Sequence, residues 1–242
     1  MHPVPKTSRD ARRAAPPPPP PVSTAFAPLY AIVPLRTLAG GKARLGGALD
    51  AEEREELVLG MLRRTVSVLA GWAPLARILV VSPDAALLAG LRGPHVTPIR
   101  QDGEGLNEGL QLARDAAERA GAKAVLIVPA DLPHVDTAAL DGLLEAADAA
   151  LAASGGGPLV VIAPSDARQG TNALLLSPPG VIEPSFGAAS FEAHVRAAAH
   201  LGASVQVVQD AALGFDLDTP EDLELLTPTE LSSLMRLGQS AA

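Results

Sequence analysis

The chain has 242 residues, 48% of them hydrophobic, a formal net charge of -8 and no cysteine. That length and apolar content suit one folded domain with a sizeable core, and the missing cysteines exclude disulfides, thiolate metal sites and a cysteine nucleophile. The acidic balance argues against a nucleic-acid partner. With no apolar run of membrane-spanning length and no signal-peptide core, the chain reads as soluble and cytoplasmic, with no membrane partner.

Residues 1–27 mix basic residues with the proline run at 16–21, which neither donates backbone hydrogen bonds nor builds a core. They read as a disordered or polyproline II leader ahead of a domain over residues 28–228. The apolar run 29–33, ended by Pro34, is the first strand. Residues 35–45 then form a glycine-containing loop with Arg36, Lys42 and Arg44. It is not a P-loop, because no glycine stands at the required distance before Gly41-Lys42 and Ala43 replaces the metal-binding hydroxyl. Backbone amides freed by glycines, with cations around them, suit a triphosphate, and an ordinary charged surface loop is the other reading.

Asp50 and Glu53 form a capping-box pattern, and Leu57, Val58, Met61, Leu62, Val66 and Leu69 follow helical spacing up to Gly71. A buried strand at 77–82, a short helix capped by Asp84 and an edge strand at 96–99 with Pro98 come next. In the loop 101–107, Gly103 and Gly105 let the backbone pass close to a ligand, and a helix runs from 106 to 120. Asn107 either caps that helix or places its amide against a nucleobase edge.

The run 125–128 reads as a fully buried parallel strand, which puts Asp131, between Pro129 and Pro133, just past its carboxyl end. That is where open α/β sheets bind ligands, so a carboxylate there can hold a metal against a phosphorylated substrate. The next helix has nearer caps in Asp136 and Thr137. After a strand at 159–164, the triplet Gly170-Thr171-Asn172 opens another apolar strand, as an anion site or a turn does. Ser190, after Gly187, is placed to cap a helix whose start favours phosphate or carboxylate, and His194 reads as a packed histidine.

A last strand covers 205–208, and strand alternation at 215–218 puts Asp216 and Asp218 on one face. Thr219, Pro220 and Asp222 start a closing helix, which leaves Asp216 and Asp218 free to bind metal. From about Thr227 the chain reads as a fraying end, with residues 229–242 a C-terminal tail. Alternating strands and helices imply a single α/β domain with a mostly parallel sheet flanked by helices. Two carboxylates opposite a basic loop suit a nucleoside triphosphate with Mg2+.

The stretches IVPLRTLAGGKARL (32–45), GLN (105–107), VPADLP (128–133), GTNALLL (170–176), FGAASFEAH (186–194) and DLDTPEDL (216–223), in that order, resemble one family. It is the 2-phospho-L-lactate / phosphoenolpyruvate guanylyltransferases of coenzyme F420 biosynthesis, related to the molybdenum-cofactor guanylyltransferases. The resemblance implies a Rossmann-like nucleotidyltransferase fold of the nucleotide-diphospho-sugar transferase type. It further implies that Asp131 and Asp218, with Asp216, bind Mg2+, and that Asp131, Asp218 and Lys42 are catalytic. Arg36, Lys42 and Arg44 would face the triphosphate of GTP, and Gly105, Leu106 and Asn107 the guanosine. Thr171, Gly187 and Ser190 would hold the phosphorylated acid, and a homodimer is compatible with the family. Arg36 stands where relatives often carry Lys, and the proline-rich leader has no counterpart.

Rival readings are 3-phosphoglycerate as acceptor, a molybdenum-cofactor or sugar nucleotidyltransferase, an Asp-X-Asp glycosyltransferase using Asp216-Leu217-Asp218, and a non-catalytic nucleotide-binding protein. An acceptor phosphate is largely ionised near neutral pH, with a second pKa of about 6, so transfer to it needs no general base. The proline-led, alanine- and arginine-rich composition looks bacterial, and within the family resembled that favours phosphoenolpyruvate among the acids.

Overall fold

The computed structural model describes residues 24–239 except 39–41, 94, 104 and 167–168. The proline run lies outside the described residues. So do Gly40 and Gly41 of the basic loop, although Lys42 is described. The strands are β1 (Leu29–Pro34), β2 (Leu75–Ser82), β3 (Val96–Arg100), β4 (Ala124–Ile127), β5 (Leu159–Pro164), β6 (Thr171–Ser177) and β7 (Ser204–Val207). They form one sheet in the order β3-β2-β1-β4-β6-β5-β7. Only β6 is reversed, pairing antiparallel with both β4 and β5. Its first residue, Thr171, therefore lies at the rim where the parallel strands end.

The helices are α1 (Ala51–Gly71), α2 (Ala85–Gly90), α3 (Leu106–Arg119), α4 (Thr137–Ala153), α5 (Ser190–His200), α6 (Ala211–Gly214), α7 (Pro220–Glu224) and α8 (Pro228–Gln239). Four of the expected caps form as the spacing requires, the Thr219/Asp222 box on α7 among them. Asp50 and Glu53 close a capping box on α1, Asp84 accepts from Ala86 and Leu87, and Asp136 accepts from Ala139. Alternation along the central strands divides the core. Ala31, Val33, Leu126 and Val161 pack under α1, α2 and α4, whereas Ile32, Ile127, Ile162 and Leu174 pack under α3 and α5. No helix among the described residues is long and apolar enough to cross a membrane.

The structure corrects the sequence reading at four places. Ser190, expected to cap α5, is its first helical residue; the cap position is Ala189, and no side chain caps the helix. Phe26, assigned to the leader, is buried in the core beside Leu29, so the folded unit begins before residue 28. Residues 215–218 belong to no strand or helix, and the short helix α6 precedes them. The expected tail is α8, whose Leu234 is buried with Leu45, Leu57, Val58, Met61, Leu217 and Leu226 in a third apolar cluster above the rim. An amphipathic helix with such a partner face docks rather than frays.

Candidate active site

Asp131 sits in the turn after β4, and its backbone carbonyl accepts a 3.1 Å hydrogen bond from Leu217 N–H. This single backbone bond draws residues 215–218 to the end of β4. Asp218 is fixed from its other side: Asp222, at the third position of α7, accepts from the Asp218 and Thr219 backbone N–H groups at 2.8 and 2.7 Å. Facing both is Lys42, in the left-handed conformation (φ 51°) ahead of the 3-10 turn Ala43–Gly47. Leu45 of that turn is buried in the same cluster as Leu217, so apolar packing delivers the lysine to the carboxylates.

Lys42 Nζ donates to Asp131 Oδ2 at 2.8 Å and forms a second, shorter hydrogen bond to Asp218 Oδ1. Burial works to lower the lysine pKa, but the charges of Asp131 and Asp218 and their hydrogen bonds outweigh it, and the net shift is upward. Lys42 is thus held as an ammonium ion, one cation shared by two carboxylates. Asp216 stands outside that pair. Asn172 Nδ2 donates to it at 3.3 Å, and burial, joined by the nearby charges of Asp131 and Asp218, raises its pKa. No three His, Cys, Asp or Glu side chains are grouped to hold an ion among the described residues, so the expected trio of aspartates is a pair plus a neighbour.

Two cavities meet at this pair. The smaller, of about 370 Å³, is lined by Pro34, Arg36, Thr37, Lys42, Val58 and Met61 among others. The larger, of about 680 Å³, includes Arg44, Gln169, Thr171, Asn172, Gly187, Ser190 and Asp216. Leu106, Pro129, Asp131, Phe186 and Asp218 belong to both and form the partition between them. The expected phosphate residues are therefore divided: Arg36 and Lys42 face the smaller lobe, and Arg44 stands in the larger one with Thr171, Gly187 and Ser190.

The 105–107 loop also departs from expectation. Leu106 reaches the cleft, but the Gly105 carbonyl accepts from Gln101 Nε2 at 3.2 Å. Asn107 is neither a cap nor a free amide. Its Nδ2 donates to Phe186 O at 3.0 Å and its Oδ1 accepts from Phe186 N–H at 2.7 Å, so its amide is committed to clamping the Phe186 backbone. Nothing in the sequence signals this pairing of residues 79 apart. The contribution of Val58 and Met61 is better signposted, because the apolar stripe of α1 is too wide for one packing face.

His194 is fully buried, as expected of a packed histidine, yet both ring nitrogens are engaged. Nε2 accepts from Ser185 N–H at 2.9 Å, and Nδ1 meets Thr171 Oγ1 at 3.0 Å. Burial pushes its pKa down from 6.5 to about 4. The unfolded chain therefore takes up a proton near pH 6.5 that the folded chain refuses until about pH 4. Stability from this group is complete above the unfolded value and declines as the pH falls, by about 3 kcal/mol in all. Urea unfolding of wild type and His194→Asn between pH 7 and 4 checks this: the slope of stability with pH should be shallower in the variant, and equal slopes would refute it.

Comparison with known proteins bears on the family and the fold. A family model described as "Guanylyl transferase CofC like" matches residues 29–229. The phosphoenolpyruvate guanylyltransferase of Rubrobacter xylanophilus is 48% identical over 198 residues, covering 82% of this chain and 93% of that protein. The 2-phospho-L-lactate guanylyltransferase of Methanothermobacter thermautotrophicus is 34% identical, covering 80% and 81%. Among solved structures, one from Desulfovibrio desulfuricans G20 described as a nucleotide-diphospho-sugar transferase superposes with a TM-score of 0.68 at 18% identity, covering 86% of this chain and 94% of that one. At that identity the likeness concerns the fold alone.

Proposed function

The chain belongs to the CofC-like guanylyl transferase family, and on that premise we propose that it transfers GMP from GTP to phosphoenolpyruvate with release of pyrophosphate, as a cytoplasmic step of coenzyme F420 biosynthesis. The observation that carries the reading is the meeting of Asp131 and Asp218 on one cation at the partition between two lobes.

GTP occupies the smaller lobe, where Arg36 and Lys42 offset phosphate charge and Val58 and Met61 give an apolar wall. The phosphorylated acid occupies the larger lobe against Thr171, Gly187 and Ser190, with Arg44 as its cation. An oxygen of the acceptor phosphate attacks the α-phosphorus of GTP, the bond to the β-phosphate oxygen breaks, and pyrophosphate departs with that electron pair. The acceptor oxygen is already ionised, so no side chain has to remove a proton. Leu106, Pro129 and Phe186 flank the reacting centre and give it an apolar border.

Two aspartate oxygens sharing the Lys42 ammonium are hard donors spaced to share a cation, and magnesium is commonly held by one or two carboxylates with substrate phosphates completing its shell. Asp131 and Asp218 would hold Mg2+ there. Once bound, the ion would polarise the α-phosphate and offset charge on the leaving pyrophosphate. Asp216, bonded to Asn172, stands beside the pair rather than within it.

The test is a competition. The purified chain with Mg2+ and GTP is offered phosphoenolpyruvate, 2-phospho-L-lactate and 3-phosphoglycerate together, and products are read by mass. The guanylyl derivative of phosphoenolpyruvate should dominate. Predominance of another acid's product would move the acceptor assignment. Absence of pyrophosphate release with all three, or faster release from another triphosphate, would overturn the reading.

A further inference from the structure

We infer that His194 is a positioning residue that turns the Thr171 hydroxyl into an obligate hydrogen-bond donor toward an anionic oxygen of the acceptor. The inference rests on the proposed placing of the phosphorylated acid in the larger lobe and deepens it.

The direction of the chain of hydrogen bonds follows from one backbone amide. Ser185 N–H can only donate, so His194 Nε2, 2.9 Å away, must present a lone pair. A neutral imidazole with an unprotonated Nε2 carries its hydrogen on Nδ1. That hydrogen points at Thr171 Oγ1, 3.0 Å away, which accepts it. The Thr171 hydroxyl proton then has no role toward the histidine and is released to donate elsewhere. Thr171 opens β6 at the rim and lines the larger cavity with Gly187 and Ser190, so an oxygen of a phosphate or carboxylate bound there can receive that proton. The reverse arrangement, with threonine donating to Nδ1, would put a proton on Nε2 facing the Ser185 N–H.

The segment that supplies the amide is held from several sides. Arg114 pairs with Glu183 at 2.9 Å and donates to Ile182 O at 3.3 Å, Asn107 clamps Phe186, and the Phe186 ring meets the His194 ring edge-on at 5.2 Å. The ring is fully buried, so water is not available to satisfy a mispointed nitrogen. His194, a packed residue by sequence alone, thereby sets the polarity of a contact it does not itself make with substrate.

Steady-state kinetics on His194→Phe, His194→Asn, Thr171→Val and the double variant Thr171→Val/His194→Phe test the inference. Losing one hydrogen bond to a charged group should raise the acceptor KM about ten- to a hundredfold in His194→Phe, with the GTP KM and kcat moving less than about twofold. The double variant should be no worse than Thr171→Val alone, because both changes remove one interaction. His194→Asn, whose side-chain N–H can replace Nδ1–H, should recover part of the loss. Additive losses in the double variant, or an unchanged acceptor KM in His194→Phe, would overturn the inference.

Nitrogen chemical shifts of His194 in the wild-type chain give a reading independent of turnover. They should show the Nδ1–H tautomer, and an Nε2–H tautomer would sink the inference even in an active enzyme. A chain that shows the expected tautomer but turns over none of the acids would instead fault the proposed reaction and leave the Thr171 orientation standing.

Discussion

Asp131→Asn should lower guanylyl transfer by roughly 10³-fold or more while leaving the thermal midpoint nearly unchanged. The kinetic half follows from charge. An amide keeps the shape and one acceptor oxygen but removes a negative charge from a position that holds a cation against a reacting phosphate. Electrostatic stabilisation of charge developing on a reacting phosphate is commonly worth several kcal/mol. The stability half follows from which atoms do the structural work. The Asp131 carbonyl, not its carboxylate, bonds Leu217 N–H, and the carboxylate is about one-third exposed at 32%. A partly solvated ion pair of this sort contributes on the order of 1 kcal/mol or less, and Lys42 keeps Asp218 as its partner. Rates of pyrophosphate release together with circular-dichroism melting check both halves. Retention of more than about a tenth of the wild-type rate would refute the role given to this carboxylate.

Gly238→Val should be the most damaging single change outside the cleft. A Cβ at Gly238 would collide with the carbonyl of Glu56, and one at Gly60 with the carbonyl of Leu234, so α1 and α8 touch backbone to backbone at two points. Overpacking against flexible side chains costs about 1–3 kcal/mol. Here the obstacle is the main chain of another helix, which cannot swing aside, so about 3 kcal/mol or detachment of α8 is expected. Gly142 is the control, since it lies on exposed surface of α4 with nothing within 4 Å of an added Cβ. Gly142→Ala should stabilise by about 0.5–1 kcal/mol through helix propensity. Denaturant unfolding of the three proteins decides the matter, and a Gly238→Val midpoint within error of wild type would show that the helices separate at little cost. Because Val58 and Met61 of α1 line the smaller lobe, Gly238→Val should also weaken GTP binding before it affects the acid.

What was readable in the sequence was local. Asp131 could be placed beyond the end of β4 because a short β-branched run ended by proline has few other interpretations, and the capping boxes of α1 and α7 could be located because their partners are three residues apart. Readings that failed depended on distant partners. The side chain of Asn107 is spent on Phe186, 79 residues away. The ordered state of α8 depends on two glycines, Gly60 and Gly238, that meet only in the fold. Asp216 and Asp218 do come near one another as alternation suggested, but their segment is drawn in by the Leu217 bond to Asp131 rather than by a neighbouring strand.

The reversal of β6 has an evolutionary corollary. Apart from Arg44, residues that would grip the acid come from where β6 begins and from the start of α5, whereas those that would grip the nucleotide follow β1 and lie in α1. The two half-sites are thus built mostly from separate stretches of the chain, joined by Arg44 and by the aspartate pair with its flanking wall. Descendants of such a scaffold can exchange one carbon skeleton for another without renegotiating their hold on the energy-rich donor.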